Sequence, residues 1–407
     1  MQQTSFTNYL LAPEIEAQAR RDRLTRLREV LVEQEIGAAL LFDSINLRYA
    51  CGVVNMQLNT SRNPGRYVFV PAEGPVVLFE YAGCQHLSAE VDTVDEVRDA
   101  HAIHPQYCGY GPKYLDHLRT FANDIAALMM QHSPENNRIA VDRPTAEATP
   151  ALQSKGLVVC DGNIPTDIAR SIKSPAELKL VKASMRCTEA AVAHMEQNLV
   201  PGRSEMEVWS SLWHALVAGG GEYIETRLFN SGSRTNPWFQ ETSAKIIEAG
   251  ELVGLDTDAI GPHGYYSDFS RTFLAGDGPA SGEQRTLYGH AFDQIEHNMS
   301  IVRPGMSFRE FSEKSWAVPD EYLPHRYLVV VHGMGLAGEH PILRQKVDWD
   351  SMGTDGVFEP NMTLCFESFI GREGGREGVK LEEHVILTES GIEHLSTYGY
   401  DERLVPR

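Results

Sequence analysis

The sequence predicts a two-domain α+β protein. Three features carry that expectation: a first part in which charged helical runs alternate with short β-rich runs, a punctuated stretch near residue 165, and a second part in which helices are interleaved with two marked hairpins. With 407 residues, 42% of them hydrophobic and 23% charged, the chain is long enough for two sizeable cores.

From Ile15 to Leu31 the pattern is that of an amphipathic helix, and "GAALLFD" and "RYVFVPAEGPVVLFEYAG" then read as strands separated by turn signals. Between Cys160 and Glu177, "CDGNIPTDIARSIKSPAE" supplies Ser174 as N-cap and Pro175 as first helical residue for "AELKLVKASMRCTEAAVAHMEQNL". The domains are accordingly expected at 1–165 and 166–407. "EMEVWSSLWHALVAGG" and "EQRTLYGHAFDQIEHNMSIV" read as further helices. Gly219, Gly220 and Gly221 end the former as a C-cap and do not form a phosphate loop.

Charge excludes whole classes of partner. Against 36 Lys and Arg stand 56 Asp and Glu, a net charge of -20 that disfavours nucleic acid and anionic membrane and favours cationic or zwitterionic ligands. The six cysteines have no paired spacing and read as reduced packing residues, and no stretch approaches the roughly 20 apolar residues of a membrane span. The start has no basic segment leading into an apolar one, so a cytoplasmic protein acting on a small molecule is expected, a homodimer by base rate.

"GLDTDAIGPHGYYSDFSRTF" places three aspartates among strand residues. Residues two apart share a strand face, so Asp256 and Asp258 point together, and a hairpin folded about His263 brings Asp258 opposite Asp268. In "TLCFESFIGREGGREGVKLEEHVIL" a second hairpin about Gly374 and Gly375 sets Glu367 opposite Glu382. Buried charge of one sign costs several kcal/mol per ion unless something positive lies between. Lys or Arg neutralises single acids, but this many acids call for one or two divalent cations, with iron or manganese suiting an oxygen-rich set and one imidazole adding affinity for transition metals. His332 in "VVVHGMGLAGEHP" is the candidate imidazole, followed by two glycines read as letting ligands approach the backbone.

The order Asp258, Asp268, His332, Glu367, Glu382 resembles that of the pita-bread metallopeptidase family, which includes methionine aminopeptidase, prolidase, Xaa-Pro aminopeptidase and creatinase. The likeness runs through "GYYSDFSRTF", "HGMGL", "KLEEHVILTESG" and "RSIKSPAELKLVKAS". It implies a creatinase-like N-terminal α/β domain, a pita-bread catalytic domain, a dinuclear site of iron, manganese, zinc or cobalt held by those five residues, and a homodimer. A narrower likeness, in "LFDSINLRYACGVVNMQLNTSRNPGR", "EYIETRLFNSGSRTNPWFQET" and "GLDTDAIG", is to the dimethylsulfoniopropionate lyases built on this fold. It adds Asp256 to the metal set, Tyr327 to the site, and cleavage of a C–S or similar bond in a small zwitterion as the reaction.

The chain departs from that group at Gly338, where the lyases carry an acid implicated in the chemistry, and at Asn59, where they carry an aromatic. The general base is then Tyr327, Glu339 or His340. Proline-directed members place a histidine in the segment matching "RTNPWFQE", and none stands there, although His340 could supply the second one they carry; a metallohydrolase of Xaa-Pro dipeptides or peptides is thus the alternative activity. Trp238 and Phe239 are either core or an aromatic wall for substrate, and Arg62 and Arg66 either solvated or within reach of a substrate carboxylate. Glu383, His384 and His263 read as solvated.

Overall fold

The structure is a computed structural model and describes residues 7–405. The chain divides into two compact units, Pro13–Arg170 and the remainder. The expected limit near residue 165 falls inside the helix Asn163–Ser171.

In the Pro13–Arg170 unit a six-stranded mixed sheet runs in the order Glu96–Asp99, Val77–Glu80, Tyr67–Pro71, Ala38–Leu41, Arg138–Val141, Val158–Asp161. The β-rich runs of the sequence supply its centre, where every residue of Ala38–Leu41, Tyr67–Pro71 and Val77–Glu80 is buried. Helix Pro112–His132 lays Leu118, Phe121, Ile125 and Leu128 into the same core, and Phe121 meets Tyr67 edge to face at 5.6 Å.

The second unit is α+β with antiparallel sheets. Its long helix Pro175–Gln197 opens as the sequence predicts: Ser174 caps Glu177 in a reciprocal capping box and Pro175 occupies the first turn. A five-stranded sheet runs Gly338–Arg344, Val329–Met334, Thr363–Ile370, Val379–Thr388, Gly391–His394, and helix Gly282–Ile301 packs Leu287, Ala291, Ile295 and Met299 at helical spacing into the core it shares with Phe366 and Val385. Strands Leu252–Asp256, Ser270–Leu274 and Thr363–Ile370 are buried along their whole length, so any charge they carry is taken out of water. Among the described residues, no helix is long and apolar enough to cross a membrane.

Candidate metal centre

The first hairpin builds its site by breaking its own ladder. Leu252–Asp256 pairs with Ser270–Leu274, and Ala259–Ile260 pairs with Tyr266–Ser267, all in one register centred on His263. Between these ladders Asp258 adopts a left-handed φ of 36°, a conformation aspartate tolerates better than most residues. Side chains take over the missing bonds. The Thr257 hydroxyl donates to the Ser267 carbonyl at 2.9 Å and accepts from the Phe269 amide at 3.0 Å, while the Asp258 amide donates to Asp268 Oδ1 at 3.1 Å. The Thr226 hydroxyl donates to Asp258.

The second hairpin pairs Glu367 with Glu382 in register, and Cys365 with His384. His332 enters from Val329–Met334, opposite Cys365. Its Nδ1 donates to the Gly333 carbonyl at 3.1 Å, which turns Nε2 toward Glu367 Oε1 at 3.3 Å and Glu382 Oε1 at 3.5 Å. The two following glycines serve packing, contrary to the sequence reading. A Cβ at Gly333 would stand 2.3 Å from the His340 carbonyl, and one at Gly335 2.5 Å from the Glu339 carboxylate.

Asp268, His332, Cys365 and Glu382 each present one ligand atom within 4.8 Å of the others, a set able to hold a metal ion. The donors fit a cation in a second respect: Glu382 Oε1 is buried without a hydrogen-bond partner. For Cys365 the sequence suggests packing alone. Its place two residues before Glu367, on the same strand face, is the signal that sets it apart.

Lys380 is a member of the site that the sequence reading misses altogether. Fully buried, its ammonium donates to Glu367 Oε2 at 2.6 Å, to Ser270 Oγ at 2.6 Å and to Glu382 Oε2 at 3.2 Å, and lies 3.3 Å from Asp256 Oδ2. Spacing could have found it, since it stands two residues before Glu382 on an alternating strand.

Electrostatics divide the acids. Burial, then the charges of Glu382 and Asp258, raise Asp268 well above the carboxylate range. Burial also raises Asp256 well above it, against the pull of Lys380, and lifts Asp258 to about 6. Glu382 moves the other way: burial opposes its charge, but Lys380 and then His332 hold it ionised. Lys380 and His332 both stay protonated against burial, through Asp256, Glu367 and Glu382 for the former and through Glu367 and Glu382 for the latter.

A cavity of about 450 Å³ opens onto this cluster, with Asp256, Asp258, Asp268, His332 and Glu367 in its wall. Phe239 and Tyr327 stack at 5.3 Å and form another side, next to Gly338. Trp238 lies beneath, buried against Phe369, in room left because Gly254 has no side chain: a Cβ there would meet the indole at 2.8 Å. Glu339 and His340 are not part of the cavity wall. Glu339 pairs with the buried Lys173 ammonium at 2.5 Å and accepts from the Leu336 amide, and His340 packs on the Phe308 ring.

Arg62 and Arg66 belong to the Pro13–Arg170 unit. Arg62 is exposed at the end of helix Gln57–Arg62, whereas Arg66 is buried and spent on Glu80 at 2.8 Å and the Asn55 carbonyl. Glu383, His384 and His263 are buried, not solvated. Alternation turns Glu383 to the face opposite Glu382, where Arg271 meets it at 2.7 Å and also donates to the Glu382 and Tyr398 carbonyls; His263 accepts from the Leu11 amide.

The sequence profile described as Metallopeptidase family M24 matches residues 179–389, more than half of the chain and all of the residues just described around the cavity. The chain belongs to metallopeptidase family M24. The Creatinase/Prolidase N-terminal domain profile matches residues 23–162. This M24 chain is 35% identical to dimethylsulfoniopropionate lyase DddP of Roseovarius nubinhibens over 95% of its own length and 88% of the relative's. It is 34% identical to the protein of the same name from Roseobacter denitrificans, over 96% and 88%. Its fold is that of the Xaa-Pro dipeptidase from Bacillus anthracis, with a TM-score of 0.75 over 95% of this chain and 99% of that one at 21% identity.

Proposed function

We propose that this M24 enzyme is a metal-dependent lyase that cleaves the C–S or a similar bond of a small zwitterion such as dimethylsulfoniopropionate. The cavity wall carries the reading: a stacked aromatic pair faces a bank of carboxylates in a space of about 450 Å³. An aromatic face attracts a sulfonium or ammonium head at close range. The two lyase relatives, at 34% and 35% identity over nearly the whole chain, support the same substrate class.

Asp258, Asp268, His332, Glu367 and Glu382 would hold one or two divalent ions of iron, manganese, zinc or cobalt, which supply Lewis-acid charge at the substrate carboxylate. Elimination takes one proton from the carbon beside that carboxylate. The C–H electron pair becomes the new C=C bond, the C–S pair leaves with sulfur, and dimethylsulfoniopropionate yields acrylate and dimethyl sulfide. Of the three candidate bases, Tyr327 is the one in the cavity wall. Burial, then Glu367, push its phenol up, and Lys380, 5.2 Å from the ring centroid, works against them. Tyr327 thus takes the proton only where positive charge beside the ring offsets both burial and Glu367.

Gly338 is the position to test, because a Cβ there meets no atom within 4 Å. The expected result is dimethyl sulfide in the headspace from the unmodified enzyme, more of it from Gly338→Asp, and little proline release from either. Without the oxyanion-binding histidine of proline-directed enzymes, peptide hydrolysis should be lower by on the order of 10²- to 10³-fold. Robust proline release by the unmodified enzyme would replace this reading with the Xaa-Pro hydrolase.

A further inference from the structure

Among the described residues, six acids line the cavity of about 450 Å³, and their partners differ. Asp256, Asp258, Asp268 and Glu367 belong to the carboxylate cluster, where Lys380, His332 and the proposed metal ions answer their charge. Glu241 is paired with Arg227, whose Nε donates to it at 3.1 Å. Glu225 stands apart from all of these: its carboxylate accepts from the Tyr266 hydroxyl and, among the described residues, enters no ion pair. The first hairpin fixes its place. Tyr223–Ile224 pairs with Ala259–Ile260, and the next amide, that of Glu225, donates to the Asp258 carbonyl at 3.0 Å. Tyr266 is buried in a cluster with Ile260 and Met334, and its amide donates to the Gly335 carbonyl at 2.8 Å, so the hydroxyl that orients Glu225 is itself held.

We infer that Glu225 is a specificity residue, which supplies the counter-charge for the positive head of the substrate, a sulfonium or quaternary ammonium, while the metal centre takes the carboxylate end. This rests on the zwitterion reading of the proposed function. An onium head carries no N–H or O–H, so no directed hydrogen bond can select it. It is recognised by an aromatic face, which the Phe239 and Tyr327 stack supplies, and by negative charge acting through space. An uncharged alkyl head of the same shape also packs on those rings, so most of the discrimination falls to the carboxylate. Both ends of a short zwitterion are then met by charge of the opposite sign.

The test titrates full-length, metal-loaded enzyme calorimetrically with two probes: the trimethylammonium analogue of dimethylsulfoniopropionate, and its tert-butyl isostere, in which carbon replaces nitrogen. Both carry the same carboxylate, so the difference between them reports the head alone. The unmodified enzyme should bind the cationic probe on the order of 10-fold more tightly, and added salt should shrink that preference because Glu225 is exposed. Glu225→Gln should remove most of the preference by weakening the cationic probe while the tert-butyl probe binds as before. In turnover of dimethylsulfoniopropionate the same variant should raise KM by a similar factor and leave kcat little changed. No preference in the unmodified enzyme, a preference that ignores salt, or one that survives in Glu225→Gln would overturn the inference. So would a fall in kcat at unchanged KM, which would place Glu225 at the reacting atoms instead. If Glu225→Gln binds neither probe, the salt dependence of the unmodified enzyme decides. A preference that Glu225→Gln abolishes, in an enzyme that releases no dimethyl sulfide, would defeat the lyase reading alone. Dimethyl sulfide released by both forms at equal KM would defeat the inference alone.

Discussion

The Pro13–Arg170 unit and the carboxylate hairpins both bury charge, and they treat it in opposite ways. In the former, Glu80 meets Arg66 at 2.8 Å with both side chains out of water, and its second oxygen accepts from Ser88 at 3.0 Å. Asp142 accepts from the Phe42 and Asp43 amides and from Asn46 at 2.8 Å. These two buried acids have donors enough. Around Lys380 and His332, five acids share two side-chain cations, and one carboxylate oxygen, Glu382 Oε1, makes no hydrogen bond and has only the His332 ring 3.5 Å away. A buried pair is structural housekeeping. A buried surplus of one sign is maintained at a cost to the fold and marks where a ligand of the other sign belongs.

Removing a member of the surplus should therefore cost binding, and removing a member of a pair should cost folding. Asp268→Asn is expected to have the largest effect: metal affinity should fall by more than the roughly 10- to 100-fold that follows loss of a residue which only orients a ligand. Competition with a chromogenic chelator measures it, and near-normal affinity would remove Asp268 from the metal set. Glu80→Gln should leave metal content unchanged but destabilise the protein by about 3–5 kcal/mol, the cost of stranding a buried guanidinium. Denaturant unfolding reads this, and a loss under about 1 kcal/mol would show that Arg66 finds water or another acceptor.

The smallest expected effect concerns Asp142. Burial, the leading cause, raises its carboxyl to about 6 against an ordinary 3.8, so the folded form holds a proton that the unfolded chain has released. Its contribution is present below the unfolded value and is lost as the pH rises through about 6, by roughly 1.4 kcal/mol for each pH unit separating the folded and unfolded values. Stability of metal-free protein measured between pH 4 and 7 should decline over that interval, and Asp142→Asn should flatten the decline. An unchanged slope in the variant would assign the decline to other acids.

Most of the fold was legible because its signals are local. The capping box at Ser174, the periodicity of Gly282–Ile301 and the symmetric turns of both hairpins lie within a few residues of what they determine. The carboxylates and His332 were legible for a related reason, since strand alternation and hairpin register decide which side chains meet. What stayed hidden depends on contacts between elements distant in sequence. Nothing near Glu339 indicates that Lys173 reaches it, and nothing in "RNPGR" says that Arg66 is taken by Glu80. Glu382 and Glu383 look alike in sequence, yet one faces His332 and its neighbour is held by Arg271 on the reverse of the strand. Lys380 and Cys365 could have been read from alternation, but a lysine in a strand suggests solvent and a cysteine suggests packing.

Arg271 also ties the chemistry to the end of the chain. Its guanidinium donates to the Glu382 carbonyl on one side and to the carbonyls of Tyr398 and Gly399 on the other. Tyr398 lies against the Phe269 ring and its hydroxyl donates to Glu196. Tyr398 and Gly399 thus act through Arg271 as a brace on the strand that presents Glu382. For anyone engineering this enzyme, Tyr398 and Gly399 are a poor place to trim: losing their carbonyls leaves the buried Arg271 short of acceptors, one strand from the carboxylates.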